Sequence, residues 1–243
     1  MSNSEPFVVF SGGGYLILYK PPFMHSAPLK QDEGGTLSAW CAERFPAFRS
    51  VRGRKALEGG LLHRLDYPTC GLVFAALTQR VMDSMLRQQK ESLFVKEYEA
   101  IAGGKASSLP GFPPCTVSYT AFPESMCRGF YLDSAFRYYG KGRKSVRPLL
   151  PGAVPSQKSN GRVYRTEILS LGLKTQNFQR VNLRLTRGFR HQIRCHLAWL
   201  GLPIRGDVLY GGQGDASMFA LRAVQLSFID PLSGLPRCVR YND

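Results

Sequence analysis

His63-Arg64-Leu65-Asp66-Tyr67-Pro68-Thr69-Cys70-Gly71-Leu72-Val73-Phe74-Ala75-Ala76-Leu77 joins a polar loop to an unbroken apolar run. Gly71 to Leu77 has the length and composition of a buried strand. Thr78 follows and can cap a helix whose Val81, Met82, Met85 and Leu86 share one face. The loop thus delivers a carboxylate, Asp66, to the mouth of a core strand, two residues after a guanidinium. Two readings are open for such a pair: a carboxylate kept ionised by a neighbouring base for chemistry, or a structural salt bridge in a turn.

Outward from this stretch the elements mix. Phe7 to Phe10, Ser11 to Gly14 and Tyr15 to Tyr19 read as strand, turn and strand, ended by Lys20-Pro21-Pro22. Thr36 caps a short helix through Leu37, Trp40 and Cys41. Leu93 to Ile101, Tyr164 to Leu171, Gln179 to Leu185 and Phe219 to Phe228 read as strands, and Arg190 to Leu200 as a helix stopped by Gly201 and Pro203. No regular βαβ period runs through the chain, which places it in the α+β class. The expected organisation is one domain over residues 1–243, with a basic, Pro/Gly/Ser-rich excursion over 105–162.

Composition narrows the function. Of 243 residues 44% are hydrophobic and 20% charged, enough for a core and too few charges for a disordered chain. No apolar run reaches the roughly 18 residues of a membrane-spanning helix. Met1 to Glu5 lacks a basic, apolar leader, so the expected compartment is the cytoplasm. Lys and Arg number 32 against 17 acids, a net charge of +15. A globular protein this basic usually meets a polyanion, and nucleic acid leads over membrane because no basic amphipathic helix stands out. The six cysteines, at 41, 70, 115, 127, 195 and 238, form no C-x-x-C pair, and His is scarce at four. They read as reduced packing thiols, with no structural zinc. No GxGxxG or phosphate-binding loop is present.

Two basic regions stand out. Arg184 to Arg205 carries five Arg and no acid, and on a helix Arg190 and Arg194 would share a face. That face could bind phosphates, turn one Arg inward to a buried carboxylate, or simply be solvated. Arg128 to Arg165 holds nine basic residues against one acid, Asp133. Within it, Tyr138-Tyr139-Gly140-Lys141-Gly142-Arg143-Lys144-Ser145-Val146-Arg147 mixes cations, rings and glycines. It reads either as a flexible arm for phosphates and unpaired bases, through Lys141, Arg143, Lys144 and Arg147, or as a solvated loop.

Four blocks, in order, resemble signatures of the RluA family of pseudouridine synthases: Tyr15 to Pro21, a strand ending in K-P; His63 to Leu72, similar to H-R-L-D-x-x-T-S-G-L; Lys96-Glu97-Tyr98-Glu99-Ala100 with Gly103, similar to K-x-Y-x-A…G; and His191 to Gly211, similar to H-Q-I-R-x-H-L…G-x-P-I-x-G-D-x-x-Y-G. Cys70 stands where that family usually has Ser, Arg222 where it often has His, and Phe189 where an Arg is usual; Arg187 or Arg190 is then the candidate for the displaced charge. The 105–162 segment matches poorly.

The resemblance implies the family's catalytic fold, a mixed and largely antiparallel sheet flanked by helices, without the small S4 domain common ahead of it. It implies isomerisation of uridine to pseudouridine in structured ribosomal or transfer RNA by a monomer that needs no cofactor or metal. By resemblance Asp66 is the catalytic carboxylate, Arg194 the cation paired with it, and Tyr98 the ring against the target base. Arg64 fills the hole left by the flipped base, or is a scaffold salt bridge; Ile193 lines the base pocket, or is helix packing. The rivals are a non-catalytic RNA-binding protein that kept the fold, against which the intact set Asp66, Tyr98 and Arg194 speaks, and a glycosidic-bond hydrolase, which would release a base.

Overall fold

Phe7–Gly12 (β1) and Tyr15–Lys20 (β2) pair antiparallel around Gly13 and Gly14, the latter at φ 83°. They open a computed structural model that describes residues 4–30, 34–103, 109–117, 129–150, 152, 159, 161–172 and 177–241. The chain divides into two compact units, Met1–Glu97 with Arg222–Asp243, and Tyr98–Leu221.

In the first unit β2 pairs antiparallel with Cys70–Ala76 (β3), from Tyr15 opposite Ala76 to Lys20 opposite Gly71. Leu221–Ile229 (β9) runs parallel to β3 at Cys70–Arg222 and Gly71–Ala223, and Pro236–Arg240 (β10) returns antiparallel to β9. Every residue of β2, and every residue of β3 after Cys70, is buried. Covered on both faces, these strands read as continuous apolar runs rather than alternating ones. The core between them and the helices is aromatic: Tyr15 stacks on Phe74 at 5.0 Å, and Phe228 meets Phe74 edge-on at 5.3 Å. Leu37–Arg44 (α1) is capped by Thr36, whose Oγ1 accepts from the Ala39 N–H, and Gln79–Lys90 (α2) by Thr78, which accepts from Val81. Val81, Met82 and Met85 are buried on one α2 face. Gly71 is required at the start of β3: at φ 113° an added Cβ would lie 2.1 Å from the Ala223 carbonyl oxygen.

The unit boundary falls inside Val95–Gly103 (β4), after Glu97. The second unit orders its strands β4, Phe178–Leu185 (β8), Tyr164–Leu171 (β7), Phe130–Tyr139 (β5) and Ser145–Leu149 (β6), with β8–β7, β7–β5 and β5–β6 antiparallel. Gln192–Trp199 (α3) is buried at all eight positions. The α+β class, with a mixed and mostly antiparallel sheet, is as expected.

Three expectations change. The arm over 138–147 is a β-hairpin: β5 and β6 pair from Ala135–Leu149 to Tyr139–Ser145, with a short 3-10 turn at Lys141–Arg143. Its rings are taken up in packing: half-buried Tyr138 lies against the core cluster around Phe136, and Tyr139 faces the Arg147 guanidinium at 4.3 Å. The helix expected from Arg190 begins at Gln192, because His191 sits left-handed at φ 55° and interrupts the helical run. Arg190 and Arg194 therefore share no helical face. β10 is an addition to the sequence reading: it is five residues long with Val239 alone buried, too little apolar pattern to signal a strand. Cys41, Cys70, Cys115, Cys195 and Cys238 are free thiols, and Cys127 lies outside the described residues.

Candidate active site

In the first unit the Asp66 loop is fixed from below. Thr69 N–H donates to the Asp66 carbonyl at 3.0 Å, closing a turn over Tyr67 and Pro68. Leu65 is held reciprocally by Ser26, whose Oγ accepts from the Leu65 N–H at 3.0 Å and donates to its carbonyl at 2.9 Å. Lys20, wholly buried at the end of β2, donates from Nζ to the carbonyls of Pro21 and Met24, each at 2.8 Å, and of Tyr67 at 3.3 Å. One ammonium thus ties the turn after β2 to the turn that carries Asp66. Burial pulls the Lys20 pKa down to about 7, against the opposing pull of the nearby Cys70 and Asp66. Asp66 is half-buried, within reach of that field yet open to solvent.

Arg64, the candidate for filling the hole of a flipped base, anchors its Nε 3.2 Å from Glu58 and leaves half its side chain in water. His63 accepts from the Phe74 N–H at 3.3 Å and packs on Phe94. Its pKa is driven well below the ordinary value, by burial first and the Lys96 charge second, so it is a neutral prop and not an acid.

In the second unit α3 carries Arg194 inward. Its Nε and a terminal nitrogen each lie 2.7 Å from a carboxylate oxygen of Asp207, and the two side chains are only 8% and 1% exposed. The guanidinium also lies 5.2 Å from the Tyr210 ring and 5.3 Å from Phe219. Asp207, the first acid after the arginine-rich block, receives this two-pronged contact within the second unit. Asp207 also closes a tight turn, its carbonyl accepting from the Tyr210 and Gly212 N–H groups. Tyr98 on β4 is buried, as is Ile193 on α3. His191 lies 3.2 Å from the Tyr210 hydroxyl, which accepts from the Val146 N–H; burial chiefly, helped by Arg194, lowers the His191 pKa to about 3. His196 sits between Ser134 and Thr166 with its pKa lowered to about 3 by burial.

The basic candidates divide. Lys141, Arg143 and Lys144 are exposed at the hairpin tip, and Arg187 is exposed in the loop after β8. Arg190 reaches the tip and donates to the carbonyls of Arg143 and Lys144, each at 3.2 Å. Arg147 is corrected: its guanidinium is buried, donates to the Pro110 and Val146 carbonyls, and lies 4.3 Å from the Tyr139 ring and 4.7 Å from Phe112. It holds the hairpin from inside and presents no charge to a phosphate. Phe189, the departure from the family pattern, stacks on Phe136 at 5.1 Å, 5° from parallel, and touches Tyr164. The ring in place of a charge packs, half-buried, against the core cluster around Phe136. Among the described residues no cluster of His, Cys, Asp and Glu could hold a metal.

A family model described as RNA pseudouridylate synthase matches residues 14–199. The chain belongs to that family. A ribosomal large subunit pseudouridine synthase D of Pasteurella multocida is 25% identical over 244 residues, 93% of this chain and 64% of the relative. An uncharacterized RNA pseudouridine synthase of Bacillus subtilis is 25% identical over 227 residues, 93% of this chain and 68% of the relative. This family member thus spans about two thirds of the length of those relatives (64% and 68%). Human RNA Pseudouridylate Synthase Domain Containing 1 has the same fold, with a TM-score of 0.64, 23% identity, and coverage of 98% of this chain and 84% of that one. Domain Containing 4 gives 0.62 and 17% over 97% and 87%.

Two outcomes follow from the site. Arg194→Ala and Asp207→Asn should each lower unfolding stability by about 3–5 kcal/mol, because each strands a buried polar or charged partner. Arg194→Lys should recover little, since a point ammonium does not match both oxygens; denaturant midpoints at wild-type values would reject this. For Lys20, the folded chain binds fewer protons than the unfolded chain between a pKa of about 7 and the ordinary 10.5. Its contribution to stability must therefore rise with pH over that window. Lys20→Met should flatten the rise between pH 7 and 10 relative to wild type, and parallel curves would contradict it.

Proposed function

We propose that this chain is an RNA uridine isomerase that uses Asp66. The observation that carries the reading is the Asp66 turn itself: a half-open carboxylate, clamped by a buried ammonium at the end of a wholly buried strand, in a chain of the pseudouridylate synthase family. In the reaction the N1–C1′ bond of a uridine breaks, the uracil turns, C5 bonds to C1′, and the C5 proton leaves as N1 gains one. Atoms and electrons balance without oxidant, reductant or group donor, so no cofactor is called for. Asp66 serves as nucleophile or base, and either role needs the ionised carboxylate that a nearby cation favours. Tyr98 takes the stacking role and Ile193 the pocket-lining role that the family resemblance implies. Extruding the base costs a few kcal/mol, which the half-exposed Arg64 offsets by taking its place.

The substrate we propose is structured RNA, ribosomal before transfer RNA because the Pasteurella relative is named a ribosomal large subunit pseudouridine synthase. The +15 charge supports it, with Lys141, Arg143, Lys144 and Arg187 as exposed phosphate contacts and Arg190 bracing the hairpin tip. The protein works in the cytoplasm as a monomer.

RNA tritiated at uridine C5, from cells lacking the gene, should release label with the purified chain and not with Asp66→Asn. The variant should bind RNA within a few-fold of wild type, since its basic surface is intact. Sustained release by Asp66→Asn would remove Asp66 from the chemistry. No release by wild type from any RNA pool would favour a non-catalytic RNA-binding protein.

A further inference from the structure

Beside Asp66 the first unit exposes two aromatic rings that the reaction does not use. Tyr67, the next residue, is 46% exposed, and Phe23, in the turn after β2, is 42% exposed. Their ring centroids are 6.0 Å apart at 64°, and His25 lies 4.7 Å from the Tyr67 ring on the same loop as Phe23. Three features make this a built surface. Phe23 adopts φ 56°, a left-handed conformation that glycine takes freely and a bulky residue takes at a cost. A ring held in that state against its backbone preference, and then left 42% exposed, recovers only part of the cost by packing, and such outliers gather at functional positions. The two loops that carry the rings are locked together by Lys20, through the Met24 and Pro21 carbonyls on one side and Tyr67 on the other. His25 is fixed in turn, its carbonyl accepting from Leu37 at 3.0 Å.

We propose that Phe23 and Tyr67, braced by His25, form a stacking step for an unpaired nucleobase of the RNA next to the target uridine. The inference rests on the isomerase reading for its substrate. A nucleobase is the occupant that fits. The rings adjoin the carboxylate that must meet a base drawn out of its stack, and extruding one nucleotide exposes the faces of its neighbours. Aromatic rings hold such faces without regard to sequence, and the chain's positive charge supplies the attraction to the backbone. The step would therefore govern affinity for the opened RNA while the sequence of the contacted base stays free.

The full chain and its variants are compared on the C5-tritiated RNA pool, with RNA affinity measured by filter binding and turnover by label release. Phe23→Gly is the decisive variant because it deletes the ring while relieving the backbone. Its melting temperature should equal or exceed wild type, yet its RNA Kd and KM should rise about tenfold, the typical loss of one base–aromatic stack. Tyr67→Ala should show a similar rise, and Tyr67→Phe, which keeps the ring, should stay near wild type. Phe23→Gly and Tyr67→Ala with wild-type Kd and KM would overturn the stacking step while leaving the isomerase reading intact, and would turn attention to a protein contact at these rings. If wild type releases no label, the isomerase reading fails, and filter binding still decides the step: weakened binding of Phe23→Gly supports it, unchanged binding overturns it.

Discussion

A single buried lysine organises the loops around Asp66 in the first unit. Lys20 sits where β2 leaves the core and spends its donors on three main-chain carbonyls, Pro21, Met24 and Tyr67. Burying a Lys is costly unless its charge is answered. Here the answer is backbone dipoles together with the field of Cys70 and Asp66, and the remaining cost of burial is visible in a pKa drawn down to about 7. The arrangement fixes the Asp66 turn to a strand that cannot move without opening the aromatic core. The position of the proposed catalytic group thus rests on this buried side chain.

The second unit solves a parallel problem differently. Arg194 enters from a helix buried at every position, and Asp207 meets it with both oxygens from a tight turn. Tyr210, from the same turn, links this pair outward: its hydroxyl holds the Val146 N–H, and its ring lies 5.9 Å from the Arg147 guanidinium that anchors the hairpin. The basic tip of that hairpin, Lys141 to Lys144, is therefore displayed on a frame whose own arginine is turned inward. This explains how a segment with so much positive charge divides into exposed cations and structural ones.

Much of the fold was legible. β2, β3 and β7, the two capped helices α1 and α2, and the loop before β3 each announce themselves by apolar runs, cap residues or a glycine at a crowded crossing. The hairpin did not, because its glycines and cations resemble a loop and its partner strand is only five residues long. The site was legible in part. Asp66 and Arg194 stood out by type and context, while the contact of Arg194 with Asp207 is a tertiary fact that spacing alone does not show. Lys20 was passed over although a charged residue closing an all-apolar strand is itself a signal. Arg147 was misplaced because exposure cannot be read from charge: rings and main-chain carbonyls receive its guanidinium inside.

The central claim is that the clamped Asp66 turn performs uridine isomerisation. The most direct measurement is a map of pseudouridines across ribosomal and transfer RNA from cells without the gene, carrying back either the wild-type gene or Asp66→Asn at matched protein level. The account predicts that one or more pseudouridines vanish on deletion, return with the wild-type copy and stay absent with Asp66→Asn. Identical maps in all the strains, or restoration by the Asn variant, would contradict it.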